Sequence, residues 1–301
     1  MSFRERYFRS SDGLSLYYRD YGSGGNVVLC LHGLTRNSRD FHDLAEHLSA
    51  RYRVLAADIR GRGKSDRDRR PARYTPAVYV RDAWRLLDQA GVDRFTLIGT
   101  SLGGLMGMIM ANQQAGRLRG LVLNDIGPEV PPAATARILE YAGRTPPAAD
   151  WAEAARQSRQ AYELALPDLP DSFWDDYARQ GWRENSAGRP EPDVDPAVGD
   201  VLRNPPLAAR AIQCLYRRGL VRRVGGVPLN LWEAFRAVTM PCLVIHGKLS
   251  DVLTPDIIDR MRAIKPVLEA VDVPHRGHTP LLDEPVARGA IDSFLARVHE
   301  T

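Results

Sequence analysis

Three residues have the types and order needed for acyl-transfer chemistry. Ser101 stands in Gly99-Thr100-Ser101-Leu102-Gly103, a G-x-S-x-G pattern; Asp251 ends His246-Gly247-Lys248-Leu249-Ser250-Asp251; His278 lies in Arg276-Gly277-His278-Thr279-Pro280. A serine hydroxyl is a weak nucleophile until a base takes its proton, and the base needs an acid to orient it. Serine, then carboxylate, then histidine is an order in which such a triad occurs on a strand-turn-helix scaffold. Attack on a carbonyl would also build negative charge on oxygen, which two backbone N–H groups must meet. Leu102, next to the serine, offers one, and Leu34 in His32-Gly33-Leu34 offers the other.

These roles demand elements that bring distant segments to one edge. Val27 to Leu31, Val54 to Ala57, Phe95 to Ile98 and Leu121 to Leu123 are short apolar runs, the pattern of strands covered on both faces. Helical patterns at Val78 to Ala90 and Leu102 to Gln114 separate them. The alternation predicts a mostly parallel α/β sheet with right-handed crossovers, wound by helices on both sides. Phe3 to Phe8 and Leu14 to Tyr21 flank Ser11-Asp12-Gly13 and read as an N-terminal antiparallel hairpin. In open parallel sheets, loops at the carboxyl ends of strands line the ligand crevice, and Ser101, Asp251 and His278 all fall on such loops.

After the sixth strand the alternation stops. Residues 127–239, rich in Pro, Ala, Arg and Trp, are expected to form a helical cap, with helices near Ala133 to Ala142, Ala152 to Leu164 and Pro206 to Arg218. Residues 1–126 and 240–301 would make the core. The latter resumes with a strand at Cys242 to His246, a helix at Pro255 to Ile264, a strand at Val267 to Val271 and a helix at Glu284 to Val298. Trp151, Trp174, Trp182 and Trp232 lie in the cap segment; as large aromatics they are first of all packing devices, and some could line an apolar substrate pocket.

Composition narrows the class. With 44% hydrophobic and 26% charged residues, the chain has a globular profile. Its net charge of +4 comes from arginines interspersed with acids, without the basic, aromatic-studded stripe of a nucleic-acid binder. Three cysteines without C-x-x-C spacing, no signal-peptide core and no membrane-length apolar run lead to the expectation of a soluble, cytoplasmic protein with no membrane span. Gly63-Lys64-Ser65 lacks the upstream glycine of a phosphate loop, since position 58 is Asp58. The seven histidines show no H-E-x-x-H or Cys/His pairing, so neither metal nor cofactor is expected, and His275 reads as a supporting or surface residue.

The chain resembles the α/β-hydrolases, in particular lidded serine esterases and lipases. The likeness rests on HGL at 32–34, DIRGRGKS at 58–65, GTSLGG at 99–104, HGKLSD at 246–251 and GHTPLLDEP at 277–285, in family order over everything except the cap. It implies Ser101 as nucleophile, Asp251 as acid, His278 as base, oxyanion amides at Leu34 and Leu102, and structural roles for Asp58 and Arg60. Some members carry the acid where Asp125 stands, at the end of the strand Leu121 to Asn124; Asp251 is preferred for its commoner position, with Glu129 a weaker candidate. Serine in place of aspartate at the nucleophile separates the chain from dehalogenase and epoxide-hydrolase relatives. The activity implied is hydrolysis of small hydrophobic carboxylic esters through an acyl-serine. Carbon-carbon hydrolysis of ring-cleavage products and lactone hydrolysis use the same triad; Thr279, where ring-cleavage enzymes commonly carry Trp, weighs against the former. A ligand receptor built on a hydrolase fold is the remaining alternative. The sequence leaves oligomeric state open.

Overall fold

In the computed structural model, which describes residues 2–224 and 227–300, eight strands form one sheet. They are β1 (Phe3–Arg9), β2 (Ser15–Tyr21), β3 (Val27–Leu31), β4 (Arg53–Ala57), β5 (Phe95–Thr100), β6 (Leu118–Asn124), β11 (Cys242–Gly247) and β12 (Glu269–Val273), with β7–β10 lying between β6 and β11. Their order is β1-β2-β4-β3-β5-β6-β11-β12. β1 pairs antiparallel with β2, and β2 with β4; all other neighbours are parallel. The N-terminal hairpin and the doubly wound sheet are thus as the sequence pattern implies.

The continuous apolar runs are explained by two separate cores. Leu29, Leu55, Leu97, Leu121 and Val244 face one way and pack with helices α2 (Pro76–Gln89), α3 (Leu102–Gln114) and α10 (Pro255–Ile264). Their neighbours Val28, Val54, Ile98, Val122 and Leu243 face the other way, against α1 (His42–Leu48) and α11 (Pro285–Glu300). Successive strand side chains point to opposite faces, so a strand buried on both sides has no polar position to alternate with. α2 begins where Thr75 Oγ1 accepts the Val78 N–H and Pro76 supplies a preset first turn. α3 is apolar nearly all round and buried through Ala111, as a helix enclosed by neighbours must be.

Between β6 and β11 the chain forms α4 (Pro132–Tyr141), α5 (Trp151–Tyr162), α6 (Asp171–Gly181), α7 (Ala197–Arg203), α8 (Leu207–Arg217) and α9 (Leu231–Arg236). The expected helices correspond to α4, α5 and α8; α6, α7 and α9 are additional. So are two small antiparallel pairs, β7 (Trp182–Glu184) with β8 (Pro190–Pro192), and β9 (Arg223–Val224) with β10 (Val227–Pro228). The last strand begins at Glu269 rather than Val267, because Leu268 N–H turns back to the Lys265 carbonyl. Trp174 and Trp182 are buried in a third apolar cluster with Ala154, Leu166 and Ala178. No helix of the described residues is long and apolar enough to cross a membrane.

Candidate active site

Ser101 occupies the tight turn from β5 into α3 at φ 50°, a left-handed conformation costly for a side chain other than glycine. Close packing imposes the flanking glycines: a Cβ at Gly103 would overlap the Leu31 carbonyl, and one at Gly99 would overlap the backbone of Gly103 and Gly104. The turn is tied to the neighbouring strand, with Ser101 N–H donating to the Asn124 carbonyl at 3.0 Å. It presents the hydroxyl at the carboxyl edge of the sheet. His278 Nε2 lies 2.9 Å from Ser101 Oγ.

The carboxylate behind the histidine is that of Asp125, and this corrects the expectation for Asp251. Asp125 Oδ2 lies 2.8 Å from His278 Nδ1 and accepts the Ser250 hydroxyl at 2.6 Å; Oδ1 accepts the Gly247 N–H at 2.9 Å. Asp125 is fully buried at φ 53°, and its own N–H donates to Ile245 O at 2.8 Å. An ionised carboxylate only accepts, so Nδ1 carries the imidazole proton and Nε2 is left to accept from Ser101. Asp251, only a few residues further along the same loop, points elsewhere: Arg137 of α4 holds its half-exposed carboxylate by two hydrogen bonds of 2.7 and 2.8 Å. Burial works to raise its pKa, but the guanidinium prevails and holds it below the usual carboxylate value. The physical reason for the difference is adjacency: β6 and β11 are neighbours, so both loops end at one edge, and the inward place beside His278 is taken by the residue closing β6. The 246–251 loop instead supplies two donors to Asp125. Glu129 is also elsewhere, accepting Trp232 Nε1–H and pairing with Arg260.

Among the described residues, the Leu34 and Leu102 amides donate to no protein acceptor, and both residues line the cavity above Ser101. The loop carrying Leu34 is set by His32, completely buried after β3. Its Nε2 accepts the Ile59 N–H at 3.0 Å and its Nδ1 donates to Gly33 O at 2.7 Å, which requires the neutral ring. Burial lowers its pKa to about 3. Asp58 accepts the Ser38 and Lys64 amides, and the fully buried Arg60 is paired with Asp12, Asp68 and Asp82. His275 is exposed.

Ser101 and His278 open into a cavity of about 330 Å³. Leu105, Ile126, Val130, Ile138, Leu139 and Val252 give it apolar walls. None of the tryptophans expected there reaches it. Trp174 and Trp182 pack the third cluster, Trp151 lies beneath Arg179 and Trp232 beneath Arg260. Trp182 does face an adjoining cavity of about 120 Å³. The aromatic wall of the larger cavity is made by tyrosines: Tyr141, Tyr162 and Tyr177. Sequence reasoning missed them along with Arg36, Gly247 and Ser250. The cue available was that Phe173, Trp174 and Tyr177 recur at helical spacing, which marks a buried face but not what it borders.

Comparison with known proteins agrees with this architecture. A family model described as the alpha/beta hydrolase fold matches residues 26–285. The chain is 31% identical over 282 residues to the 3-hydroxybutyrate-oligomer hydrolase of Cupriavidus necator, covering 92% of each chain. It is 27% identical to the 2-(acetamidomethylene)succinate hydrolase of Mesorhizobium japonicum, over 88% of this chain and 85% of that one. The crystal structure of an alpha/beta hydrolase from Novosphingobium aromaticivorans superposes with a TM-score of 0.87 at 39% identity, covering 98% of this chain and 99% of that one.

Proposed function

The chain belongs to the α/β-hydrolase fold family, and from that premise we propose that it is a serine hydrolase cleaving small carboxylic esters, short hydroxyacyl esters among them. The observation that carries the reading is the unbroken relay from Ser101 Oγ through His278 to Asp125, opening on a largely apolar cavity. The 31% identical relative named for 3-hydroxybutyrate oligomers supports the ester bond and the small acyl unit.

In the proposed reaction, His278 Nε2 takes the Ser101 proton as Oγ attacks the ester carbonyl, and Asp125 stabilises the imidazolium that forms. The Leu34 and Leu102 amides meet the oxyanion. Collapse of the adduct expels the alcohol, which takes its proton from His278. A water deprotonated by His278 then attacks the acyl-serine, and the acid leaves with Ser101 restored. Residues 127–239 act as the cap, and α4 to α6 supply the tyrosine wall over the nucleophile.

Hydrolysis of p-nitrophenyl esters of graded acyl length, alongside a linear 3-hydroxybutyrate dimer, tests the reading, with Ser101→Ala as control. The expected result is turnover of short acyl esters by the native protein and a loss of about 10³-fold or more in the variant. Undiminished turnover by Ser101→Ala, or activity confined to a ring-cleavage dienone or to 2-(acetamidomethylene)succinate, would overturn it.

A further inference from the structure

One end of the active-site cavity is lined by polar atoms that can only give, or most readily give, hydrogen bonds. Arg36, in the loop after β3, is buried. Its Nε and Nη2 clamp Asp40 at 2.6 to 3.1 Å, while its guanidinium lies 3.9 Å from the Tyr177 ring centre. Its remaining nitrogen, Nη1, has no protein partner among the described residues, and neither do the hydroxyls of Tyr141 and Tyr177. None of these three atoms is among the sealed, unsatisfied polar atoms of the interior, so each reaches open space. Tyr162 bridges the group. Its ring meets Tyr141 and Tyr177 edge-on at 5.9 and 5.4 Å, and its hydroxyl is 3.3 Å from Thr35 Oγ1. Arg36, Tyr141, Tyr162 and Tyr177 all border the cavity that holds Ser101, and the first three also border the smaller cavity beside it. Gly181 lets Nη1 lie close against its backbone, since a Cβ there would overlap that nitrogen.

A packing role does not explain this composition. Each donor turned toward a cavity without a partner carries the cost of an unmade hydrogen bond, which phenylalanine and leucine would avoid. A guanidinium edge beside phenols is the equipment for a planar anion with several lone pairs. Burial raises the Tyr141 and Tyr177 phenols, so both keep their protons at neutral pH. The Arg36 charge is already balanced by Asp40, so the site takes its ligand by directed hydrogen bonds more than by net charge. Asp43 and Asp283 also border the cavity but are exposed to solvent, where their repulsion is screened.

We propose that Arg36 Nη1 and the Tyr141 and Tyr177 hydroxyls form a carboxylate subsite, making the preferred substrates linear esters that carry a free terminal carboxylate. This inference rests on the ester-hydrolase reading. It specifies which esters: not neutral alkyl esters, but acids esterified at one end and ionised at the other.

The test compares two substrates sharing one scissile bond, the linear 3-hydroxybutyrate dimer as its free acid and as its terminal carboxamide. The native protein is expected to favour the acid in kcat/KM by about tenfold or more, the scale of a charge-assisted hydrogen-bond pair. Tyr141→Phe and Tyr177→Phe keep the rings, and each is expected to reduce the preference about threefold or more through a higher KM for the acid. The Arg36→Met/Asp40→Asn double variant, which leaves no unpaired charge, is expected to bring the preference to about unity. Equal losses on both substrates, with the preference intact, would assign these residues a structural role and overturn the inference. So would a native protein indifferent to the carboxylate. If p-nitrophenyl esters are hydrolysed and the preference is absent, this inference alone falls; if no ester is hydrolysed, the ester reading falls with it.

Discussion

Replacing Asp125 by Asn should cost far more activity than replacing Asp251, and the size of the gap follows from their surroundings. Asp125 accepts three hydrogen bonds, from Gly247 N–H, Ser250 Oγ–H and His278 Nδ1–H, at 2.6 to 2.9 Å. An asparagine amide cannot accept all three. With its nitrogen toward His278, the ring must move its proton to Nε2 to avoid an N–H facing an N–H, and Nε2 can then no longer take the Ser101 proton. With its nitrogen toward Gly247, the conflict shifts to that amide and the carboxylate charge is still lost. The wrong tautomer and the lost charge together are worth about 10³ to 10⁴ in kcat, or about 4 to 5.5 kcal/mol. Asp251→Asn removes only a half-exposed ion pair with Arg137, for which about 0 to 1 kcal/mol is the usual scale, so activity should change less than about fivefold. Initial rates on a p-nitrophenyl ester, with circular dichroism to check folding, give both numbers. A folded Asp251→Asn protein that has lost about a hundredfold, or an Asp125→Asn protein retaining a tenth of native kcat, would refute the assignment of the acid.

Gly103→Ala should destabilise the fold by about 1 to 3 kcal/mol in urea unfolding and lower kcat, because the new methyl must push the Ser101 turn away from the Leu31 carbonyl. Native-like stability and activity would mean that the turn is not as tightly packed as described. His32 should make folding sensitive to acid. Its folded pKa of about 3 lies below the ordinary 6.5, so the unfolded chain takes up a proton first. Its contribution is therefore complete above about pH 6.5 and is lost as pH falls toward 3, at up to about 1.4 kcal/mol per pH unit. Stability against pH for the native protein and His32→Gln should differ in slope by about one proton between pH 6 and 4, and parallel curves would contradict the neutral, buried ring.

Much of this molecule could be read before folding was considered, and what could not has a definite cause. β3, β5, β6 and β11 announce themselves because burial on both faces leaves mostly apolar residues, and Ser101 is marked by glycines that packing demands. The carboxylate was ambiguous because Asp125 and Asp251 follow adjacent strands and reach the same edge. What separates them is Arg137, from a segment whose packing no local pattern reveals. The tryptophans were informative about mass rather than place. Trp174 and Trp182 fill the interior of the inserted segment, while tyrosines, each with one polar atom to offer, face the cavity. Ser250 and Gly247 were visible as part of a motif, yet their service to a residue more than a hundred positions earlier exists only in three dimensions.

The bond from Ser101 N–H to Asn124 O has a wider meaning. Thr100 and Asn124 are opposite rungs of one parallel ladder, so the residues following each, Ser101 and Asp125, start from a spacing set by β5 and β6, and β11 then holds Asp125 through Ile245 O and Gly247 N–H. Ser101 and Asp125 therefore both precede residues 127–239 in the chain, and the strand that follows those residues completes the setting of Asp125. On the proposed reading, a change confined to that segment leaves the ladder between β5 and β6, and with it the backbone spacing of Ser101 and Asp125, in place. On the same reading the two stretches share the work: the sheet and its loops carry Ser101, Asp125 and His278, and the cavity above them is walled both by core residues such as Arg36 and Val252 and by the tyrosines of α4 to α6.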